Sequence, residues 1–580
     1  MTTVLRHRFD ATKADLKSKT KPSGWVIPKQ SSTFADPDRW SNIDADVTPI
    51  ERRTWSSWTV LGFWISDAMN AQGWEAPSSI IAVGLTWREA VYCIILGSLI
   101  DTIPLMLNGM IGAHLHVPFP VVARSSFGFY LARFAVVVRM ITALFWHAIQ
   151  TYTGSTAMTQ CIRAIWPSYL DIPNTIPASV GITSQQLVSH FIFWGKFYFT
   201  HRFQASMLMF VQYSVQFPIL LTPPHKLKTF FWFKSVVVFI SSVGVVIAMT
   251  QKAGGTGDIW NQEYQVHGSK RSWLILSSMM SVAGGWATMA TNVPDFTRYL
   301  KTTKGVWWQG LFLPLISLLL GLFGIISTSS AKVVYGEYIW DPLVLAAQWH
   351  GPAGRCGAFF VGFTWVVAQI GTNLSANVIS ASNDLTNLFP KYINIRRGVM
   401  IITITAGWIM VPWKIVHSAE SLLSFMSGLA IFLCPIAAIL ATDYWLVKKR
   451  NIDVPGLYRR HGRYRYGKYG CNWRAVVAFL CSVVPNTPGL ARAVNPSVSI
   501  SAGIEHIYDI NYLYGFATAS FLYWALSYWF PATETLLPAC IYDDTTMIDG
   551  VEWTNDGINT PEGVSEVSEK KVPHSDVGQV

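Results

Sequence analysis

Apolar residues fill this chain in long runs separated by short polar loops. Crossing a bilayer takes about 20 such residues, and between Trp55 and Phe530 the pattern predicts about twelve crossings. They fall at residues 55–82, 88–116, 130–162, 184–222, 229–250, 272–299, 305–332, 357–388, 397–415, 419–448, 472–489 and 510–531. The expected fold is therefore an all-α polytopic membrane protein. A transmembrane domain at 51–535 is flanked by polar tails at 1–50 and 536–580.

The fourth run breaks the pattern. "HFIFW" is followed by "GKFYFTHRFQASMLMFVQYS" (Gly195 to Ser214) and then "VQFPILLTPPHK", which together are far longer than one crossing. Without residues 195–214, Trp194 joins Val215 and a span of ordinary length results. The opening Gly-Lys is what a GT-AAG splice donor would encode, so this stretch is read as retained intron or a lineage-specific insert.

Composition agrees with the pattern: 51% of residues are hydrophobic, 13% are charged and mean hydropathy is +0.31, which excludes an ordinary soluble protein. The net charge of +11 sits in short loops beside the spans, "PPHKLK", "RYLKTTK", "PKYINIRR" and "KKRNIDVPGLYRRHGRYRYGKYG". That placement fits the positive-inside rule with a cytoplasmic N-terminus, and gives no reason to invoke a nucleic-acid partner. The first fifty residues lack a secretory signal pattern. The acidic, Ser/Thr/Gly-rich segment after Tyr542 reads as a disordered cytoplasmic extension, and the tails are where trafficking or ubiquitination machinery would engage. Seven cysteines stand singly, without metal-site spacing.

Polar residues inside spans are expensive and mark cavities or pathways. The third span places Trp146 and Gln150 on one helical face; the eighth does the same for Asn377 and Asp384. The first carries Ser66, Asp67, Asn70 and Gln72 where lipid would accept none. Indoles and amides together suit a flat, neutral ligand with a lactam or ureide edge. In "GGWATMATNVPDFTRYLK", Gly284, Gly285 and Pro294 weaken the sixth helix, and freed backbone at that depth is tolerated only beside protein or a watery cavity. His147 stands alone in its span, and neither HExxH nor GxSxG occurs, so an enzyme is not indicated.

At these motifs, and at "FWHAIQTYTG", "GTNLSANVISASNDLTNLFP", "MVPWK" and "ATDYWLVKKRNIDVPGLY", the chain resembles the nucleobase/cation symporter family of hydantoin-transporter type, in its fungal Fur-type branch of uracil and allantoin permeases. The resemblance implies a five-plus-five inverted-repeat bundle followed by two extra helices, working by alternating access. It implies ring-stacking by Trp146 and Trp286, amide contacts from Gln150 and Asn377, a backbone contact at Gly285 and a first-helix contact at Asn70. The sodium site of bacterial relatives falls on Ser66, Met69, Ala368, Gly371 and Thr372. Gly371 removes an expected hydroxyl, so a co-transported proton is expected in place of sodium. Asp384 is the leading coupling candidate, followed by Glu51, Asp67 and Lys301. Phe425 and Met426 match the family's gate. The expected function is import of uracil or allantoin across the plasma membrane by proton symport. The thiamine and nicotinamide riboside branch is the alternative, disfavoured because it lacks the Trp/Gln pair of "FWHAIQ".

Overall fold

The computed structural model describes residues 22–37, 40–194, 219, 228–255, 260–261, 263–543, 552–554 and 557–559. The first crossing is two half-helices, α1 (Ser57–Ala68) and α2 (Ala71–Ala82). Ser56 and Thr59 form a capping box that starts α1. The helix stops because Asn70 turns extended, and its side chain then caps α2 by accepting from Gly73 N at 2.9 Å. A second capping box, Thr86 with Glu89, opens α3 (Trp87–Leu115), which ends at His116 in the left-handed region with φ 54°.

The chain continues through α4 (Phe119–Phe127), α5 (Ala132–Ile165), α6 (Ser184–Trp194), α7 (Lys228–Lys252), α8 (Gly268–Asn292) and α9 (Gln309–Tyr335). A short α10 (Pro342–Ala347) precedes α11 (Gly351–Thr372), which passes through a π-helical stretch, Asn373–Val378, into α12 (Ile379–Leu388). Then come α13 (Ile395–Ile409), α14 (Ala419–Thr442), α15 (Trp473–Val483), α16 (Thr487–Val494), α17 (Ala502–Asp509) and α18 (Asn511–Trp529). Eight stretches among the described residues are long and apolar enough to cross a membrane on their own. The predicted first crossing is split, the ninth is short, and residues 195–214 lie outside the described residues, as do 1–21 and 560–580.

Two helical groups meet around a shared cavity. One is α1–α3 with α8 and α9; the other is α5 with α6 and α11–α13, and α7 touches both. α14 packs on α8, and α15 and α18 lie outside it. The sequence expectation for the sixth crossing needs correcting. α8 runs unbroken through Gly284 and Gly285, and the interruption comes later, before the one-turn helix Pro294–Thr297. The glycines are there for contact with α14. A Cβ at Gly284 would lie 2.4 Å from the Met426 carbonyl oxygen, and one at Gly285 would lie 2.5 Å from Met426 Cε.

One face of the bundle is covered by the N-terminal segment 42–55. Thr48 N donates to His116 O at 2.9 Å, Trp55 exchanges backbone bonds with Tyr299 and Lys301, and Asn42 Nδ2 donates to Pro390 O and Ile393 O. The returning C-terminal segment adds Ile541 N to Ile452 O at 2.9 Å. The tail beyond it, expected to lack order, contains an antiparallel pairing of Glu552–Thr554 with Gly557–Asn559. The Asp-Gly at 556–557 is, in sequence, a hairpin signal which overall polarity obscured.

Candidate functional site

The cavity at the break in the first crossing spans about 810 Å³, its open mouth included, and is lined by Asp67, Asn70, Trp146, Gln150, Gly285, Trp286 and Asn377, among others. Each substrate-contact residue expected from sequence is therefore at its wall. Trp146 is held edge-on by Phe425, ring centroids 5.6 Å apart, and Trp286 by Trp64 at 5.7 Å. Met426 lines the cavity, whereas Phe425 stands behind Trp146. Gln150 Oε1 and Trp146 Nε1 are buried with no hydrogen-bond partner, and so are Thr288 Oγ1 and Ser317 Oγ on the same cavity. Buried polar atoms in proteins are nearly always bonded, so unsatisfied ones that line a cavity are suited to a polar ligand.

Two amides are already engaged. Asn70 accepts from Gly73 N and donates to Asp67 O at 2.7 Å, so it shapes the helix break as well as the wall. Asn377 Nδ2 donates to Asn373 Oδ1 at 3.0 Å, and Asn373 Nδ2 donates to Thr151 Oγ1 at 3.1 Å. This chain ties the π-helical stretch to α5 and leaves the Asn377 carbonyl as its free end. Single π-turns within helices occur mostly at functional sites, where they re-aim a side chain.

A lysine from another helix reaches two of the positions that the sequence resemblance assigns to a sodium site. Lys234, on α7 and fully buried, donates through Nζ to the Ser66 carbonyl and, at 2.7 Å, to Thr372 Oγ1. A Cβ at Gly371 would lie 2.5 Å from Lys234 Cδ, so the glycine that deletes a hydroxyl also admits the lysine stem. Ala368 and Met69 are buried nearby in the same apolar cluster. Asp67 accepts from Ser375 Oγ at 2.8 Å and is in electrostatic range of the Lys234 ammonium. The sequence reading missed Lys234, although a lone lysine in "WFKSVVVFISS" is the kind of intramembrane charge that signals function.

The other coupling candidates lie elsewhere. Asp384, in the second half of α12, is fully buried in an ion pair with Arg139, whose Nε donates to it at 2.6 Å. Glu51 is exposed in a one-turn helix, and Lys301 is exposed beside Trp55.

A polytopic helical protein with a broken first crossing and a polar, aromatic cavity buried between two helical groups is built as a membrane transporter. The chain belongs to the family of permeases for cytosine/purines, uracil, thiamine and allantoin, whose family model matches residues 46–515. An uncharacterised permease of Schizosaccharomyces pombe is 37% identical over 501 residues, covering 86% of each chain. The allantoin permease and the uracil permease of Saccharomyces cerevisiae are each 31% identical, covering 84% and 85% of this chain and 76% of their own lengths. The fold matches a nucleobase-cation-symport-1 family transporter solved in a closed conformation with bromovinylhydantoin bound. That match has a TM-score of 0.67 at 19% identity, over 85% of this chain and 97% of that one.

Proposed function

We propose that this permease imports a planar nucleobase or ureide, uracil or allantoin, across the plasma membrane together with a proton, with both chain ends in the cytoplasm. The observation that carries the coupling is the Lys234 ammonium between the Ser66 carbonyl and the Thr372 hydroxyl. A bound cation there would tether the first crossing to the eighth, and a protonated lysine supplies the same positive charge from a side chain. Loss of its proton removes both the charge and one donor, which frees α1 to move against α11. Asp67 steadies the charged form.

The substrate assignment rests on the cavity. Trp146 and Trp286 offer ring faces, while Gln150 and Asn377 offer one donor-and-acceptor edge, the pattern a lactam completes. The 31% identity to permeases named for allantoin and uracil supports the same class. The test is uptake of labelled uracil, with allantoin as competitor, in cells stripped of their own nucleobase permeases. Saturable uptake that rises with external acidity and ignores sodium supports the proposal; sodium-stimulated uptake insensitive to pH removes the proton.

A further inference from the structure

On the face covered by the N-terminal segment, a second cleft of about 290 Å³, its open mouth included, lies between that segment, the start of α5 and the end of α12. Two arginines line it. Arg124 is buried to 6% exposure, and its guanidinium donates to two backbone carbonyls, Leu457 O at 3.0 Å and Trp40 O at 3.3 Å. The Arg133 guanidinium carbon lies over the Trp40 ring, 4.2 Å from its centroid. Neither makes an ion pair among the described residues. Burial pulls Arg124 down to about 10, which still leaves it charged at neutral pH. Arg460 lies close enough to Arg133 to oppose its charge. Among the described residues no carboxylate is hydrogen-bonded to the Arg124 or Arg133 guanidinium, although Asp46 lies within electrostatic range of Arg124, and each of these two guanidiniums keeps unused N–H donors in a fork that matches phosphate oxygens.

The rest of the wall narrows the chemistry. Asn387 is buried, with Nδ2 committed to Asn383 O, while its Oδ1 has no partner and calls for a hydroxyl donor. Phe129, Val136 and Leu388 make the remaining wall apolar. Phe134 and Phe389, adjacent in sequence to lining residues, are exposed. The cleft sits where α5 enters its membrane-crossing stretch, the level at which basic pockets between helices meet lipid headgroups.

We propose that this cleft binds a phosphate ester bearing free hydroxyls, presented as the headgroup of an inositol phospholipid in the inner leaflet. Arg133 and Arg124 take the phosphate, Asn387 Oδ1 accepts from a ring hydroxyl, and the acyl chains leave along Phe134 and Phe389. The lipid would hold the Trp40 segment to α5 and α12, and so stiffen the covered face.

The test uses the full chain in nanodiscs of phosphatidylcholine with and without phosphatidylinositol, read by native mass spectrometry and thermal unfolding. The intact protein should retain one phosphatidylinositol and unfold at a higher temperature with it present. Arg133→Gln should weaken retention about tenfold or more, as expected for loss of a charge-assisted contact. Asn387→Leu should keep phosphate binding but lose the preference for inositol over glycerol headgroups. Equal retention by the intact chain and Arg133→Gln overturns the site. Soluble inositol phosphate that stabilises the protein as well in phosphatidylcholine alone would keep the chemistry and overturn the membrane source.

Discussion

Lys234 and Gly371 form one unit, because the space left by the missing side chain is filled by the lysine stem. Gly371→Ala should therefore push the ammonium off Thr372 and abolish uptake while the protein still reaches the surface, measured by transport against surface biotinylation. Lys234→Met keeps most of the stem volume and removes the charge, so residual uptake should lose its dependence on pH. At the cavity, Trp146→Ala should abolish substrate binding without preventing surface delivery. Gln150→Ala removes an amide whose oxygen has no protein partner, and a hydrogen bond lost there costs about 1–3 kcal/mol, or roughly fivefold to 150-fold in competition assays. The lining residues were legible in sequence because indole and amide groups are rare in spans and cluster by helical spacing. Lys234 was not connected to them because it comes from α7, and nothing in the spacing of one helix reveals what another inserts beside it. Asp384 was legible as a buried charge, but its partner Arg139, 245 positions away, was not.

Helix interruptions show where sequence signals mislead. Asn70 reads as a ligand contact and also acts as the N-cap that starts α2. Gly284 and Gly285 read as a break, yet the helix is continuous because the surrounding backbone keeps its own hydrogen bonds and the glycines serve the α8–α14 contact. Propensity alone cannot separate these outcomes, since the packing partner decides. Gly284→Ala should then act as overpacking, costing about 1–3 kcal/mol. The check is the unfolding temperature of the detergent-solubilised protein; unchanged stability would mean that α14 stands farther off. The π-helical stretch at Asn373–Val378 had no sequence signal that the pattern could expose, since an extra residue in a turn leaves the apolar run intact.

At the scale of the whole molecule, crossings were readable because lipid imposes a length on each apolar run, while the way two groups enclose a cavity was supplied by family resemblance. The covered face was not readable at all. Polarity assigned residues 40–50 to a tail, yet they are tied to His116, Pro390 and Tyr458 by hydrogen bonds to backbone carbonyls, donated by Thr48 N, Asn42 Nδ2 and the Tyr458 hydroxyl, which leave no trace in an apolar pattern. His116 sits beneath this segment, its Nδ1 3.0 Å from Arg298 O, and burial, with Arg53 nearby, pushes it down to about 4 from 6.5. Because the folded value lies below the unfolded one, the unfolded form takes up the proton first. The contribution of His116 to the stability of this face is full above about 6.5 and falls as pH drops toward 4. Limited proteolysis of the N-terminal segment should speed up between pH 7 and 5, and His116→Asn should remove that dependence.

The central claim is that a side-chain ammonium, Lys234, does the work of a coupling cation in a nucleobase permease. The most direct measurement is uracil uptake at external pH 5 and 7, with and without sodium, by the intact chain and by Lys234→Met at matched surface levels. The predicted result is sodium-independent uptake that rises at pH 5 in the intact chain and is flat with pH in the variant. Sodium-stimulated uptake, or an acid response preserved in Lys234→Met, would contradict it.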